Sequence, residues 1–427
     1  MANNFTKQET VAFDRWVETF EDDLLMLPLI DVMKEDQTMM ERSGDVLWLP
    51  VDPIAVSFEG SDQTLNFRPQ TELAVPVSIN RWRSVPLTFT SLELRDAMQQ
   101  NKFAYAAKEK LGSDINNAVV NVIANQGSLT VKRSGPATGY DDIAQAQALM
   151  TEQGIGMGDR VFAANPRDYN GMVGNLAGSA LNSGRSYDND VSVRALRDAY
   201  LGQIAGFGTY NTGYTTRLTA ALGGGGITIN TLAAGPNRYD PKSMSNSVTG
   251  EGSPVDNRFQ VVTVSSTTNV KAGDRFTIAG VEADNHMTKD ATGQLKTFVV
   301  ARIESGTTMT ISPPIIPADG TTTAQLQYAN VVISAPSATA AIVWLNTVTA
   351  ATNLFWKKGA IKLVPGRPEV PSGEGVSFAR YDVQGIPLTM TKWFDGKVMK
   401  EFLRFDVYFG VTNIQPEMSG VMLFNQT

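Results

Sequence analysis

The sequence has no cysteine and a single histidine, His286. Without thiols there can be no disulfide, no thiolate nucleophile, no cysteine zinc site and no iron–sulfur cluster. One imidazole excludes any site that needs two. The missing cysteine also suits a reducing compartment. Charge is scarce: 19% of residues are Asp, Glu, Lys or Arg, against about 25% in an ordinary soluble domain. The 43 acidic residues outnumber the 36 basic ones, for a net charge of -7. That balance argues against a general grip on DNA or RNA, which depends on Lys and Arg neutralising phosphates. Gly, Thr, Ser, Asn and Ala take the place of the missing charge, and surfaces that pack on each other are depleted in charge in this way.

Long apolar runs are absent too. The longest near the start, 24–30, is interrupted by Pro28 and falls far short of the ~20 residues of a membrane span. The opening MANNFTKQETVAFDRW has neither the basic nor the apolar region of a secretory signal. The expectation is a soluble protein that stays in the cell that makes it. A chain of 427 residues has room for two to three domains of roughly 100–200 residues and needs no covalent staple to hold a core.

What is present is a succession of segments of different character. Residues 1–30 read as an amphipathic arm. Phe13, Trp16, Val17, Phe20 and Leu24 fall at helical spacing, with Asp14, Glu18, Glu21 and Asp22 opposite. Its apolar face docks either on its own domain or on a neighbour or assembly helper. DVLWLPV at 45–51 is a strand. Pro53, Gly60, Pro69, Pro76 and Pro86 then punctuate short β-rich runs, a density that keeps a segment out of helices and sheet centres. The segment reads as a long extended hairpin, and excursions of that length are commonly functional.

Residues 91–126 are the longest helical stretch. Ser91 can cap it, with Glu93 in the first turn. Leu94, Met98, Leu111, Ile115, Ala118, Val119, Val122 and Ile123 form one stripe, the pattern of a scaffold beam. A second helix is expected at 141–152, stopped by Gly154, and a third includes 195–201. The glycine run 223–226 marks a boundary. Beyond it, RFQVVTVSS, DRFTIAG, KTFVVARIE and TMTISPP alternate with turns at 271–274 and 305–307, the pattern of a small antiparallel barrel or sandwich. Helical character is expected to return at 338–348. Near the end, Leu403, Phe405, Val407, Phe409 and Val411 point to one side of a strand. The economical reading is an α+β domain with a β-barrel inserted in it.

No catalytic constellation emerges. His286 lies in the polar run ADNHMTKD and reads as an exposed surface residue. Gly154, Gly156 and Gly158 lack the preceding strand and following helix of a dinucleotide fingerprint. No phosphate-binding GxxxxGK[ST] occurs. The carboxylates at 21–23 and 141–142 read as solvated or capping groups, although a glycosidase pair could still form in space among 43 of them. Aromatic residues are not interleaved with basic runs, so no base-stacking platform is apparent. No catalytic residue, metal ligand or cofactor is expected.

Several segments carry a resemblance: ERSGDVLWLPV (41–51), SLELRD (91–96), GSLTV (127–131), VDNRF (255–259) with VTVSSTTNVKAGDRFTIAGV (262–281), YAN (328–330), TNLFW (352–356) and YFGVTNIQPEMSGV (408–421). In this order and spacing the chain resembles the major coat proteins of the Lederbergvirus (P22-like) short-tailed phages, weakly in 53–85 and 132–250. The resemblance implies an α+β capsid fold of the Hong Kong 97 type. Its parts would be an arm at 1–30, a first core part at 31–222, an inserted antiparallel β-barrel (I-domain) at 223–340 and a second core part at 341–427. The first core part would hold an E-loop at about 50–80, a spine helix at about 91–126 and an A-domain from about 135. The second would complete the A-domain and supply P-domain strands.

The resemblance further implies pentamers and hexamers of the chain in an icosahedral shell, held without covalent crosslinks. It implies a scaffolding protein, a portal protein at one vertex, packaged double-stranded DNA on the inner face, no membrane, and assembly in the bacterial cytoplasm. A charged loop of the inserted domain would reach a neighbouring capsomer. Here it falls at 240–256, with Asp240, Lys242, Glu251 and Asp256 as contact candidates and Arg302 as a partner. Phe13, Trp16 and Phe20 are the candidates on the arm. Two readings from other classes stand beside the shell: a glycan-binding or glycan-cleaving enzyme with a β-barrel module, and a monomeric adhesin-type module.

Overall fold

The strand of alternating apolar residues near the end of the sequence, Lys400–Asn413, organises the first of two units. The computed structural model describes residues 24–33, 46–64, 66–90, 97–182, 201–214, 216–230, 232, 237–334, 339–367 and 376–427. One unit takes up 1–47, 76–119 and 361–412, the other 48–75, 120–360 and 413–427. Phe13, Trp16 and Phe20, the Ser91 cap with Glu93, and 195–200 of the expected third helix lie outside the described residues.

In the first unit, Lys400–Asn413 pairs with Ile386–Asp395, which continues to Val376–Val383, and with Ile361–Pro365, which continues to Asp31–Val32. Phe405, Val407 and Phe409 are buried as the alternation demands. Among the described residues Arg81–Thr90 pairs with this long strand alone. It contains Pro86, and an edge strand is where a residue without an N–H is tolerated. The extended hairpin is paired at its base, Val46–Pro50 with Ala74–Ser78. The beam is the helix Ala97–Gln126. Leu111, Ile115, Ala118, Val119, Val122 and Ile123 are all buried, so this part of the stripe read from the sequence is the face that packs; Leu94 and the Met98 side chain lie outside the described residues.

The second unit holds a six-stranded mixed sheet in the order Leu129–Lys132, Ser419–Leu423, Asn353–Lys357, Arg160–Ala164, Phe207–Asn211, Gln203–Ile204. Helices Tyr140–Glu152 and Pro166–Asn182 supply Ile143, Ala146, Met150, Tyr169 and Met172 to its core. Edge-to-face contacts of Phe207 with Phe162 and Phe355, at 6.3 and 6.4 Å, run through it. Asp142 caps its helix as expected but is not solvated. It is fully buried, accepts the amide hydrogens of Thr138 and Gly139 at 2.6 and 3.2 Å, and pairs with Arg133 at 2.7 Å.

The same unit contains the β-domain. Its strands run Thr228–Asn230, Thr339–Trp344, Arg275–Asp284, Ala291–Ile303, Thr308–Ser312, Gln260–Thr263, with Val331–Ile333 also on Arg275–Asp284. The Ile229–Val264 bridge joins the two ends of this order, and the Ser265 amide donates to Thr228 O at 2.8 Å. The sheet is thereby closed into a barrel around Phe276, Ile278, Phe298, Val300, Ile311 and Ile342. The helix expected at 338–348 is a strand instead, Thr339–Trp344. The alanines at 338, 340 and 341 suggest helix, but Thr339, Ile342, Val343 and Trp344 are strand formers, Ala340 and Ile342 alternate inward, and the segment lies between two paired neighbours.

Gly420 faces Leu129 in the mixed sheet. A β-carbon there would lie 2.4 Å from the Leu129 carbonyl oxygen and 2.6 Å from the Phe355 ring. Gly420→Ala is expected to cost about 1–3 kcal/mol through overpacking, read as a lower urea midpoint with unchanged far-ultraviolet circular dichroism.

Candidate assembly site

The expected contact loop is an exposed two-stranded ribbon, Met244–Asn246 against Gly252–Pro254. Every residue from 242 to 254 is exposed, with Val248 fully open at the tip. Gly250 turns the tip with φ +83°. The base is fixed by Asn257, whose side chain accepts from the Lys242 amide and the Tyr239 hydroxyl, both at 3.0 Å, and donates to Lys242 O at 2.8 Å. Burial, aided by Asp256 and Asp240, pushes the Tyr239 hydroxyl up to about 12, so it stays a donor at neutral pH.

The structure divides the five candidates. Lys242 and Glu251 are exposed on the ribbon. Asp240 sits at its base and accepts from the Thr322 hydroxyl at 2.5 Å. Asp256 accepts from Arg258 at 2.9 and 2.7 Å, and Arg258 reaches on to Asn413 O at 2.8 Å. Arg302 lies on the barrel wall, 71% exposed, paired with Glu304. A hydrogen bond from the Thr310 hydroxyl, then one from Arg302, holds the Glu304 carboxyl below its usual range.

The return arm of the extended hairpin is fastened to the barrel's short helix Thr323–Tyr328. Thr71 donates to Gln327 Oε1 at 3.0 Å and accepts from the Tyr328 hydroxyl at 2.7 Å. An open cleft of about 560 Å³ lies alongside, lined by Ile54, Val56, Phe58, Phe67 and Arg68 from the hairpin and Leu326 from the helix. Phe67 is 87% exposed.

Two buried polar joints went unseen in the sequence. In the first, Arg275 is fully buried and donates to carbonyl oxygens at the end of the long helix. In the second, the ammonium of Lys296, with no solvent exposure, lies 2.5 Å from Glu417 Oε1 and donates to Gln153 Oε1 at 3.3 Å. Asn330 adds a hydrogen bond to Glu417 at 3.1 Å. Burial pushes the Glu417 carboxyl up. Lys296, then His286, and the hydrogen bonds from Lys296 and Asn330 outweigh that and hold it below the usual range.

His286 is not the exposed surface residue expected. Only 14% of its side chain reaches solvent, and Nε2 lies 3.8 Å from Glu417 Oε2. Its amide donates to Gln153 O at 3.2 Å, and the neighbouring Asn285 donates to Glu152 O at 2.8 Å. Gly154, at φ +79°, makes room for this turn, because a β-carbon would lie 2.6 Å from Asn285 Oδ1. A charged or polar residue heading an apolar strand, as in DRFTIAG and KTFVV, was the signal available for both joints.

Among the described residues no group of three or more His, Asp or Glu could hold a metal, and no helix is long and apolar enough to cross a membrane. A closed barrel carrying an exposed ribbon, set within an α+β chain that also bears an extended hairpin, defines a protein organised around surfaces. Its class is that of phage shell proteins. The sequence model of the P22 coat protein family (gene protein 5) matches residues 1–425, and the chain belongs to that family. It is a major capsid protein, a virion component that self-assembles into the phage shell.

Among solved structures, the CUS-3 coat protein I-domain is 39% identical over 28% of this chain and 95% of that one, with a TM-score of 0.21. A protein of Mycobacterium phage Che8 matches at 9% identity over 93% of this chain and 90% of that one, TM-score 0.46. The capsid of cyanophage P-SCSP1u matches at 11% identity, 93% and 87%, TM-score 0.44.

Burial, reinforced by Lys296 and Lys289 and opposed by Glu417, lowers the His286 imidazole from 6.5 to about 4. A neutral form preferred in the folded state contributes stability above pH 6.5, which is lost as pH falls from 6.5 toward 4. Asp284, raised to about 6 by burial against Lys289 and Lys296, runs the other way. The difference between the native chain and His286→Gln isolates the imidazole. In urea titrations, the native chain's stability relative to the variant should fall between pH 7 and pH 4.5.

Proposed function

We propose that the chain builds an icosahedral shell from pentamers and hexamers, guided by a scaffolding protein, with a portal protein at one vertex and double-stranded DNA packaged inside. Assembly takes place in the host cytoplasm, and the chain carries no enzymatic activity. The net charge of -7 suits a container that must not hold DNA tightly. The chain divides into an arm (1–30), a first core part (31–222), the inserted barrel (223–340, its last strand running on to Trp344) and a second core part (341–427). The arm contacts neighbours through Phe13, Trp16 and Phe20.

The observation that carries the contact reading is the ribbon: an exposed, anchored hairpin whose sequence offers little apolar surface to bury in its own fold. Asp240 and Asp256 are already engaged within the chain at its base, and Arg302 pairs with Glu304. The inter-subunit ion pairs therefore fall to Lys242 near the base and Glu251 near the tip. Two ribbons packed antiparallel about a two-fold axis set Lys242 of each copy against Glu251 of the other, as an isologous contact requires. Each exposed pair is worth only ~0–1 kcal/mol, but a shell repeats it at every such axis.

Lys242→Glu and Glu251→Lys should each slow assembly several-fold, and the double exchange should restore it, as followed by sucrose-gradient sedimentation. Single variants that assemble like the native chain would remove the ribbon from the contact.

A further inference from the structure

Arg275 opens the strand Arg275–Asp284, and its guanidinium is fully buried. Among the described residues no carboxylate meets it. Nη2 donates to Ala124 O at 2.6 Å. Nη1 is shared by Gly127 O at 2.8 Å, the Thr130 hydroxyl at 3.0 Å and Leu129 O at 3.3 Å. Its acceptors lie in the last turn of the helix Ala97–Gln126, in the turn after it and in the strand Leu129–Lys132. The last four carbonyls of a helix have no amide within it, and their partial negative charge favours a cation. Burial lowers the guanidinium to about 9, which leaves it charged at neutral pH.

The main chain of the same residue is held from the other side. Its amide donates to Asn346 Oδ1 at 3.0 Å, and its carbonyl accepts from the Leu345 amide at 2.8 Å. Asn346 in turn donates to Thr219 O at 2.9 Å and accepts from the Ala221 amide at 2.7 Å. Residues 219–221 and 345–346 are where the chain passes into and out of the barrel. Arg275 therefore stands where both ends of the inserted domain meet the end of the long helix. The chain leaves the helix in a tight turn against the mixed sheet: at Gly127 a β-carbon would lie 2.7 Å from Ile123 O and 3.0 Å from Ser419 Oγ. Thr297 adds a second bond across the same joint, its hydroxyl donating to Ser128 O at 2.9 Å.

We propose that Arg275 is a clasp by which the folded barrel completes the carboxyl end of the long helix, so that 124–132 becomes fixed only once the two ends of the inserted domain have come together. It is a positioning residue for the shell subunit. The planar fork of arginine reaches acceptors on both sides of the helix end, which the single ammonium of lysine cannot do. Truncation would leave a pocket lined by carbonyl oxygens and shaped for a guanidinium ion.

Hydrogen exchange on the full chain tests this. In Arg275→Ala, amides at 124–132 should exchange about tenfold faster or more, as expected for losing hydrogen bonds to a charged group. Barrel strand amides at 276–300 should change less than about twofold. Guanidinium chloride at low millimolar concentration should slow the exchange at 124–132 again, where sodium chloride at equal ionic strength does not. Arg275→Lys should fall between the native chain and Arg275→Ala, and it carries the test if the alanine variant does not fold. Unchanged exchange at 124–132, or barrel amides accelerating in the same proportion, would overturn the clasp.

Discussion

A cation buried without a carboxylate is tolerable only where dipoles converge on it, and the larger unit is arranged to meet that constraint. The long helix ends at Gln126, and its unpaired carbonyls need donors. The barrel supplies them through Arg275. The geometry then propagates. Gly127 has to be glycine for the chain to turn so tightly. Leu129–Lys132 leaves the turn as the strand that pairs in parallel with Ser419–Leu423. Gly420 in that partner has room for no side chain. The mixed sheet therefore begins at the site where the barrel's arginine is bound.

The barrel completes its own core and is joined to the rest of its unit largely by polar contacts. Its ends are sealed by the Ser265 amide on Thr228 O and the Thr228 amide on the Ser265 hydroxyl, and its interior is a single apolar cluster. Its attachments include Arg275, Thr297 with Ser128, and Lys296 with Glu417. Buried polar joints add less net stability than apolar packing of equal volume, but they fix one orientation, because any other leaves charges unpaired. On the proposed ribbon contact, a fixed orientation of the barrel matters more than raw stability.

Local pattern carried much of this into the sequence. The stripe from Leu111 to Ile123 is the buried face of the long helix. The barrel strands lie where alternating Val, Thr and Phe placed them, and the ribbon occupies the loop expected to be exposed. Thr339–Trp344 was misread because alanine-rich composition speaks for helix, while its two strand partners are distant in sequence. His286 was misread because a largely polar run around a histidine looks solvated. Its burial depends on Glu417 and Gln153, which only the fold brings near. Arg275 and Lys296 follow the same logic: each charge is explained by acceptors far away along the chain. Of the contact candidates, Asp256 and Arg302 are engaged within the chain by neighbours at 258 and 304, which the sequence did not show.

The central claim is that this chain is a shell subunit whose inserted barrel meets its neighbours through the ribbon. Electron cryomicroscopy of particles assembled from the full chain, with and without the proposed scaffolding protein, tests it most directly. The account predicts closed icosahedral shells in which density for 242–254 of one subunit continues into that of a neighbour. A uniform small oligomer, or shells whose ribbons stand free in solvent, would contradict it.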